Sequence, residues 1–67
     1  MTPVTLRLRE LRERKGWSQA ELGRRAGVAA STINRAERGE TRTLSLDNLE
    51  KIATALGVSV RGLIRPH

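Results

Sequence analysis

Cysteine is absent from the 67 residues, and the single histidine, His67, is the last residue. No disulfide framework, thiolate metal site or zinc constellation can be assembled from such a chain, so neither metal nor cofactor is expected. No apolar stretch approaches the roughly 20 residues needed to cross a bilayer, and the N-terminus lacks the continuous apolar run of a signal peptide. A soluble, cytoplasmic protein is the expectation. Sustained period-two alternation is missing too, which argues against sheet and for an all-α fold. Nucleophile–base sets and paired carboxylates are also missing, because the acids are dispersed along helix surfaces; an enzyme is not expected.

What the chain does have is positive charge. Thirteen Lys and Arg stand against seven Asp and Glu, a net charge of +6. In a domain this small that balance favours a polyanionic partner, most often nucleic acid. Most of the basic residues are Arg, which forks onto phosphate and guanine better than Lys. A solvated, Arg-rich surface is the plainer explanation of the same charge. Length allows one domain, burying only about 60% of its unfolded surface around a thin core.

Gly16, Gly27, Gly39 and Gly57 each follow a stretch of helical periodicity, where a left-handed residue ends a helix. They divide the chain into five short helices. The first is predicted from Leu6 to Lys15, with Val4, Leu8 and Leu11 as its apolar stripe and Glu10 paired to Arg14. The second is capped by Ser18 in an S-x-x-E box with Glu21, Trp17 stapling onto Leu22, and ends at Ala26. The third spans Ala30 to Arg38 behind an uncapped Ala29, with Ile33 and Ala36 facing inward. The fourth starts at Ser45 and buries Leu46, Leu49, Ile52, Ala53 and Leu56. The fifth covers Ser59 to Ile64, weakened by Gly62.

Helices two and three carry the decisive pattern. Gly23 supplies a small residue where the third helix crosses the second, and Gly27 tolerates positive φ in the turn. Leu22, Val28 and Ile33 are apolar plugs between the two helices. The segment LRELRERKGWSQAELGRRAGVAASTINRAERGE, followed by LDNLEKIATALGVSVRGLI, resembles the phage Cro and C1 repressor class of helix-turn-helix domains, also called the XRE family. The resemblance covers about residues 6 to 64, with the motif itself over about residues 18–38 and its binding unit from Gln19 to Glu37.

That resemblance implies a five-helix, phage-repressor-like fold (lambda repressor-like) and a third helix lying in the DNA major groove. Ala30, Ser31 and Arg35 match the positions that read base edges, and Asn34 lies on the same face. Ser18 and Gln19 match phosphate-contacting positions, with Thr32, Arg38 and the loop residue Arg42 expected alongside them. Arg12 and Glu37 match a pair that forms a buried salt bridge in some relatives. Several residues depart from the family's habit. Ala30 replaces a long polar side chain and can offer only its methyl group to thymine. Ala29 lacks the usual cap, Ala36 is smaller than the usual Leu or Ile, and Gly23 stands where Ala is usual. The loop from Gly39 to Ser45 is about one residue longer than typical. Together these departures imply a domain of low stability.

The implied function is a transcriptional regulator, a repressor, binding a palindromic operator in double-stranded DNA as a homodimer. Two domains spaced roughly 34 Å apart double the base contacts that one domain can make. Val58, Val60, Arg61, Ile64 and Arg65 are the expected dimer surface. The alternatives are an antitoxin of a toxin–antitoxin pair, a controller protein of a restriction–modification system, or a non-regulatory module that kept the fold. The first two add a protein partner, a toxin or RNA polymerase. In each regulatory reading the protein works on the nucleoid of a bacterium or on phage DNA.

Overall fold

Gly16, Gly27, Gly39 and Gly57 all take positive φ, between 73° and 87°, and each stands at the end of a helix. The computed structural model describes residues 4–40 and 44–66, with 4–6 and 64–66 described in backbone only. Its helices are α1 (Leu8–Arg14), α2 (Gln19–Ala26), α3 (Ala30–Glu37), α4 (Leu46–Leu56) and α5 (Val60–Leu63). The class is the all-α, five-helix one that the sequence implies. To it is added a two-stranded antiparallel ribbon, β1 (Val4–Leu6) with β2 (Ile64–Pro66), in which Leu6 faces Ile64 and Val4 faces Pro66.

The ribbon corrects two helix boundaries. Residues 4–6 are extended, so Val4 does not extend a helical stripe with Leu8 and Leu11, and α1 begins at Leu8 rather than Leu6. At the other end α5 stops at Leu63, which places Ile64 in a strand. Pro66 accounts for both changes: it disfavours the helical region for Arg65 and has no N–H with which to continue the helix. With the chain extended there, Val4 and Thr5, β-branched residues suited to a strand, find a partner. The Arg7 amide then donates to the Leu63 carbonyl at 2.7 Å, tying ribbon to α5.

Three serines start helices in the same way, the third being Ser59, whose Oγ accepts from the Gly62 amide at 3.1 Å ahead of α5. Ser18 Oγ accepts from the Glu21 amide at 3.0 Å, and Ser45 Oγ accepts from the Asn48 amide at 3.1 Å. The reciprocal half of the S-x-x-E box is not made, because the Glu21 carboxylate is held instead by Arg24 and Arg25. Ala29 takes the extended conformation of an N-cap and supplies no side-chain bond to α3.

The core is a single cluster in which each helix contributes one fully buried large aliphatic side chain: Leu8, Leu22, Ile33, Ile52 and Leu63. Ala26, Ala36, Ala53 and Leu56 fill the space between them, and Trp17 packs half-buried at the edge. Leu46 is the exception among the expected core residues, at 64% exposed. Burial deepens along α4, from Leu46 through half-buried Leu49 to buried Ile52 and Leu56. The apolar face of the helix therefore runs one turn past the edge of the core.

Where α3 meets α2 the backbones nearly touch. A Cβ on Gly23 would lie 2.7 Å from the Val28 carbonyl oxygen and 3.2 Å from the Ala30 nitrogen. The Gly23 carbonyl also accepts from the Gly27 and Val28 amides, at 2.8 and 2.9 Å. Gly23 is thus matched to a turn closed this tightly, and the family's more usual Ala would not fit it unchanged. Gly23→Ala is expected to lower stability by about 1–3 kcal/mol through overpacking. It does so against a helix-propensity gain of about 1 kcal/mol; a higher urea midpoint would mean that the turn relaxes freely. Ala29→Ser is expected to raise stability by about 1 kcal/mol in the same measurement, by capping α3.

Candidate nucleic-acid interface

The inward face of α3 is Ile33 and Ala36, both buried. Its outward face carries Ala30 and Asn34 in one row and Ser31, Arg35 and Arg38 in the next, each row stepping by three or four residues. Ala30, Ser31, Arg35 and Arg38 are exposed, while Thr32 and Asn34 are half-buried. No acidic residue lies in the first turn of α3, so its free amide hydrogens and the positive end of its dipole face outward without a competing anion.

Most cations of the chain are already engaged. Arg7 and Arg14 pair with Glu10, Arg24 and Arg25 with Glu21, Arg9 and Arg12 with Glu37, Arg38 with Glu40, and Lys51 with Asp47. Arg25 also lies over the Trp17 ring, 4.5 Å from its centre, with Lys15 at 5.7 Å. Among the described residues, Arg35 and Arg61 have neither an ion pair nor a ring contact. Arg35 is therefore an unpaired guanidinium in the middle of the outward face of α3.

Behind that face sits a buried carboxylate. Glu37, whose side chain is 0% exposed, accepts from Arg12 Nε at 2.5 Å and Arg12 Nη2 at 3.1 Å. It also accepts from Gln19 Nε2 at 3.0 Å and, more loosely, from Arg9 Nε at 3.4 Å. The remaining arm of Arg12 donates to the Trp17 carbonyl at 2.6 Å. Gln19 Oε1 in turn accepts from Asn34 Nδ2 at 3.3 Å. One network thus joins α1, the start of α2 and the middle and end of α3. Burial alone pushes the Glu37 carboxyl up, but the hydrogen bonds from Arg12 and Gln19, Arg12's charge and the bond from Arg9 outweigh it. The carboxyl is held below the ordinary glutamate range. Glu21 is held low by hydrogen bonds from Arg24 and Arg25, at the surface.

The structure distributes the expected site residues unevenly. Ser31, Arg35 and Ala30 lie free on the outward face; Arg38 is there too, bonded to Glu40. Gln19 and Asn34 are tied to each other, and the Ser18 hydroxyl caps α2. Arg42 lies outside the described residues. Of the expected dimer surface, Val58 and Val60 pack half-buried against the core and Arg61 is exposed. The side chains of Ile64 and Arg65 lie outside the description. Sequence reasoning missed Arg9 as a second α1 residue in the interface network, although its spacing three residues before Arg12 places both on one helix face. The Arg25–Trp17 stack had no sequence signal, since it depends on how α1 turns into α2. Among the described residues no group of acids and histidines could hold a metal, and no helix is long and apolar enough to cross a membrane.

A helix-turn-helix family model matches residues 8–63. A hypothetical transcription factor from Neisseria meningitidis is 41% identical over 59 residues, covering 88% of this chain and 55% of that protein. The restriction–modification controller protein C.AhdI from Aeromonas hydrophila is 46% identical in its solved structure, with a TM-score of 0.77, covering 84% of this chain and 83% of that one. The structure of SinR, the master regulator for biofilm formation, in complex with DNA is 40% identical with a TM-score of 0.75, covering 82% of this chain. The chain spans about half the length of the curated relatives it matches, the Neisseria factor and Bacillus subtilis SinR.

The Glu37 network makes stability acid-sensitive with a defined sign. The folded carboxyl sits below its ordinary value of 4.5, so the unfolded chain binds the proton more readily and acid favours unfolding. Stability is expected to be full above that value and to fall as pH drops through the lower, folded pKa. In Glu37→Gln this part of the acid loss disappears, so the stability gap between parent and variant narrows as pH falls. Denaturant titrations from pH 7 to pH 3 read this; a gap constant with pH would mean that the carboxylate is not held by its partners.

Proposed function

The chain belongs to the Cro/C1-type (XRE) family of helix-turn-helix DNA-binding domains, and we propose that it binds a palindromic operator as a homodimer and represses transcription. In this reading α3 enters the major groove. Arg35 forks onto guanine O6 and N7, Ser31 and Asn34 contact neighbouring base edges, and the Ala30 methyl meets a thymine methyl. Ser18, Gln19, Thr32, Arg38 and Arg42 anchor the phosphates on either side. The observation that carries the reading is the unpaired, exposed guanidinium of Arg35, in a chain where nearly every other described cation is paired. The relationship to SinR, whose structure contains DNA, supports DNA as the partner.

A single domain makes few base contacts, which is why a second copy is part of the proposal, joined through Val58, Val60, Arg61, Ile64 and Arg65. The protein acts where the cell's DNA lies, in the cytoplasm. A controller protein of a restriction–modification system is the second reading, favoured by one observation: the chain covers most of C.AhdI itself. A reporter gene behind the selected operator separates the two, since repression lowers its output and activation raises it.

Selection from random duplex DNA tests the contacts. Arg35→Ala is expected to cost about 1–3 kcal/mol and to relax the preference at one base pair. An unchanged selected sequence would remove Arg35 from base reading. Arg38→Ala is expected to weaken all sequences alike and to reduce the salt slope by about one; a slope equal to the parent's would remove it from the phosphate contacts.

A further inference from the structure

An amide side chain has two unlike ends, and the partners behind it decide which end faces outward. Glu37 is surrounded by Arg12, Arg9 and Gln19 and is ionised, so it has only acceptors to offer. Gln19 must then turn its Nε2 to Glu37, because a flipped amide would set oxygen against oxygen. That leaves Gln19 Oε1 for Asn34, which must approach with Nδ2. Asn34 is thereby anchored by its nitrogen end. Its Oδ1 has no partner among the described residues, and it is not a buried atom: the one buried unpartnered side-chain nitrogen or oxygen among them is Arg7 Nε.

We infer that Asn34 meets DNA with its oxygen end and selects an amino-bearing base, adenine or cytosine, on the strand it contacts, with Gln19 as the residue that positions it. Adenine N6 and cytosine N4 are the amino donors of the major groove; guanine and thymine present acceptors at the corresponding edge. An unanchored Asn amide engages adenine N6 and N7 with both of its ends. The bond to Gln19 keeps Oδ1 outward, so Asn34 accepts from the amino group of either base, while its second Nδ2 hydrogen stays available to adenine N7. The polarity of this one contact is thus set by a carboxylate that itself lies behind the interface.

The inference rests on α3 reading the groove, as proposed above, and its test separates the two. Duplexes are selected from a random pool with the full chain. The selected duplex and its single-base variants, fluorescein-labelled, are then titrated by anisotropy. At one position the parent should bind adenine or cytosine and disfavour guanine and thymine by about 3- to 10-fold, the range of one net hydrogen bond. Asn34→Ala should erase that preference and leave the other positions as they were. Gln19→Met, which frees the Asn34 amide to turn over, should let the same position tolerate guanine or thymine; if that variant fails to fold, Asn34→Ala, on a half-exposed helix position, decides alone. A parent preference for guanine or thymine at the erased position, or no position changed in Asn34→Ala, or an unaltered profile in folded Gln19→Met, overturns the inference. A parent that enriches no sequence overturns the groove-reading assignment itself, and the inference with it.

Discussion

The carboxylate of Glu37 ends α3 without reaching solvent, and the geometry of the interface depends on how it is satisfied. Arg12 reaches it from α1 with two nitrogens and fixes its own third arm on the Trp17 carbonyl. Gln19 reaches it from the first residue of α2. A buried ion pair of this kind adds little net stability over a well-packed apolar replacement, because desolvation offsets most of the Coulombic gain. Its contribution lies in direction. A planar guanidinium bonded at three points has one acceptable orientation, and α3 is therefore held at a set angle to α1 and α2 while its outer face stays uncommitted.

Packing alone would hold that angle less firmly. Each helix contributes a single fully buried large aliphatic residue to the core, and α3 in particular presses only Ile33 and the small Ala36 inward. Apolar contacts are not directional, so a helix seated on two such residues has freedom to roll. Two features restrict it. The close approach at Gly23 locks α2 and α3 backbone to backbone, and the Glu37 network pins the far end of α3. The uncapped start at Ala29 is the weak point between them. Its free amides are unsatisfied by protein, which is a stability cost in the isolated chain and a ready set of donors beside a phosphate.

Charge pairing sorts the basic residues into two populations. The arginines of α1 and α2 are bound to acids three or four residues away on their own helix, or to Glu37. Each of these acids is shared by two arginines, so the pairs reduce the charge of the flanks without cancelling it, while Arg35 on α3 is left with no acid partner. Net charge read from composition counts all thirteen basic residues equally, whereas the field that a polyanion meets depends on which of them remain unpaired.

Much of this architecture was legible from the residues. The four glycines that end helices, the serine caps at Ser18 and Ser45, and the inward pattern of Leu22, Ile33, Ile52 and Leu56 are local or periodic signals, and each acts through its own backbone geometry. The terminal ribbon was not legible as such: Val4–Leu6 and Ile64–Pro66 are too short to declare a strand until each is beside the other. Leu46 has the right periodicity and still faces water, because periodicity states which side of a helix is apolar and not where the core stops. The same division holds at the interface. Sequence alone determined the helix-turn-helix unit and the identity of its outward residues, since spacing on a helix decides the face. Only the tertiary structure decided which of those residues are free and which are tied, and which end of an amide each presents. Hydrogen-bond polarity is passed along a chain of partners drawn from three helices, and no single segment contains it.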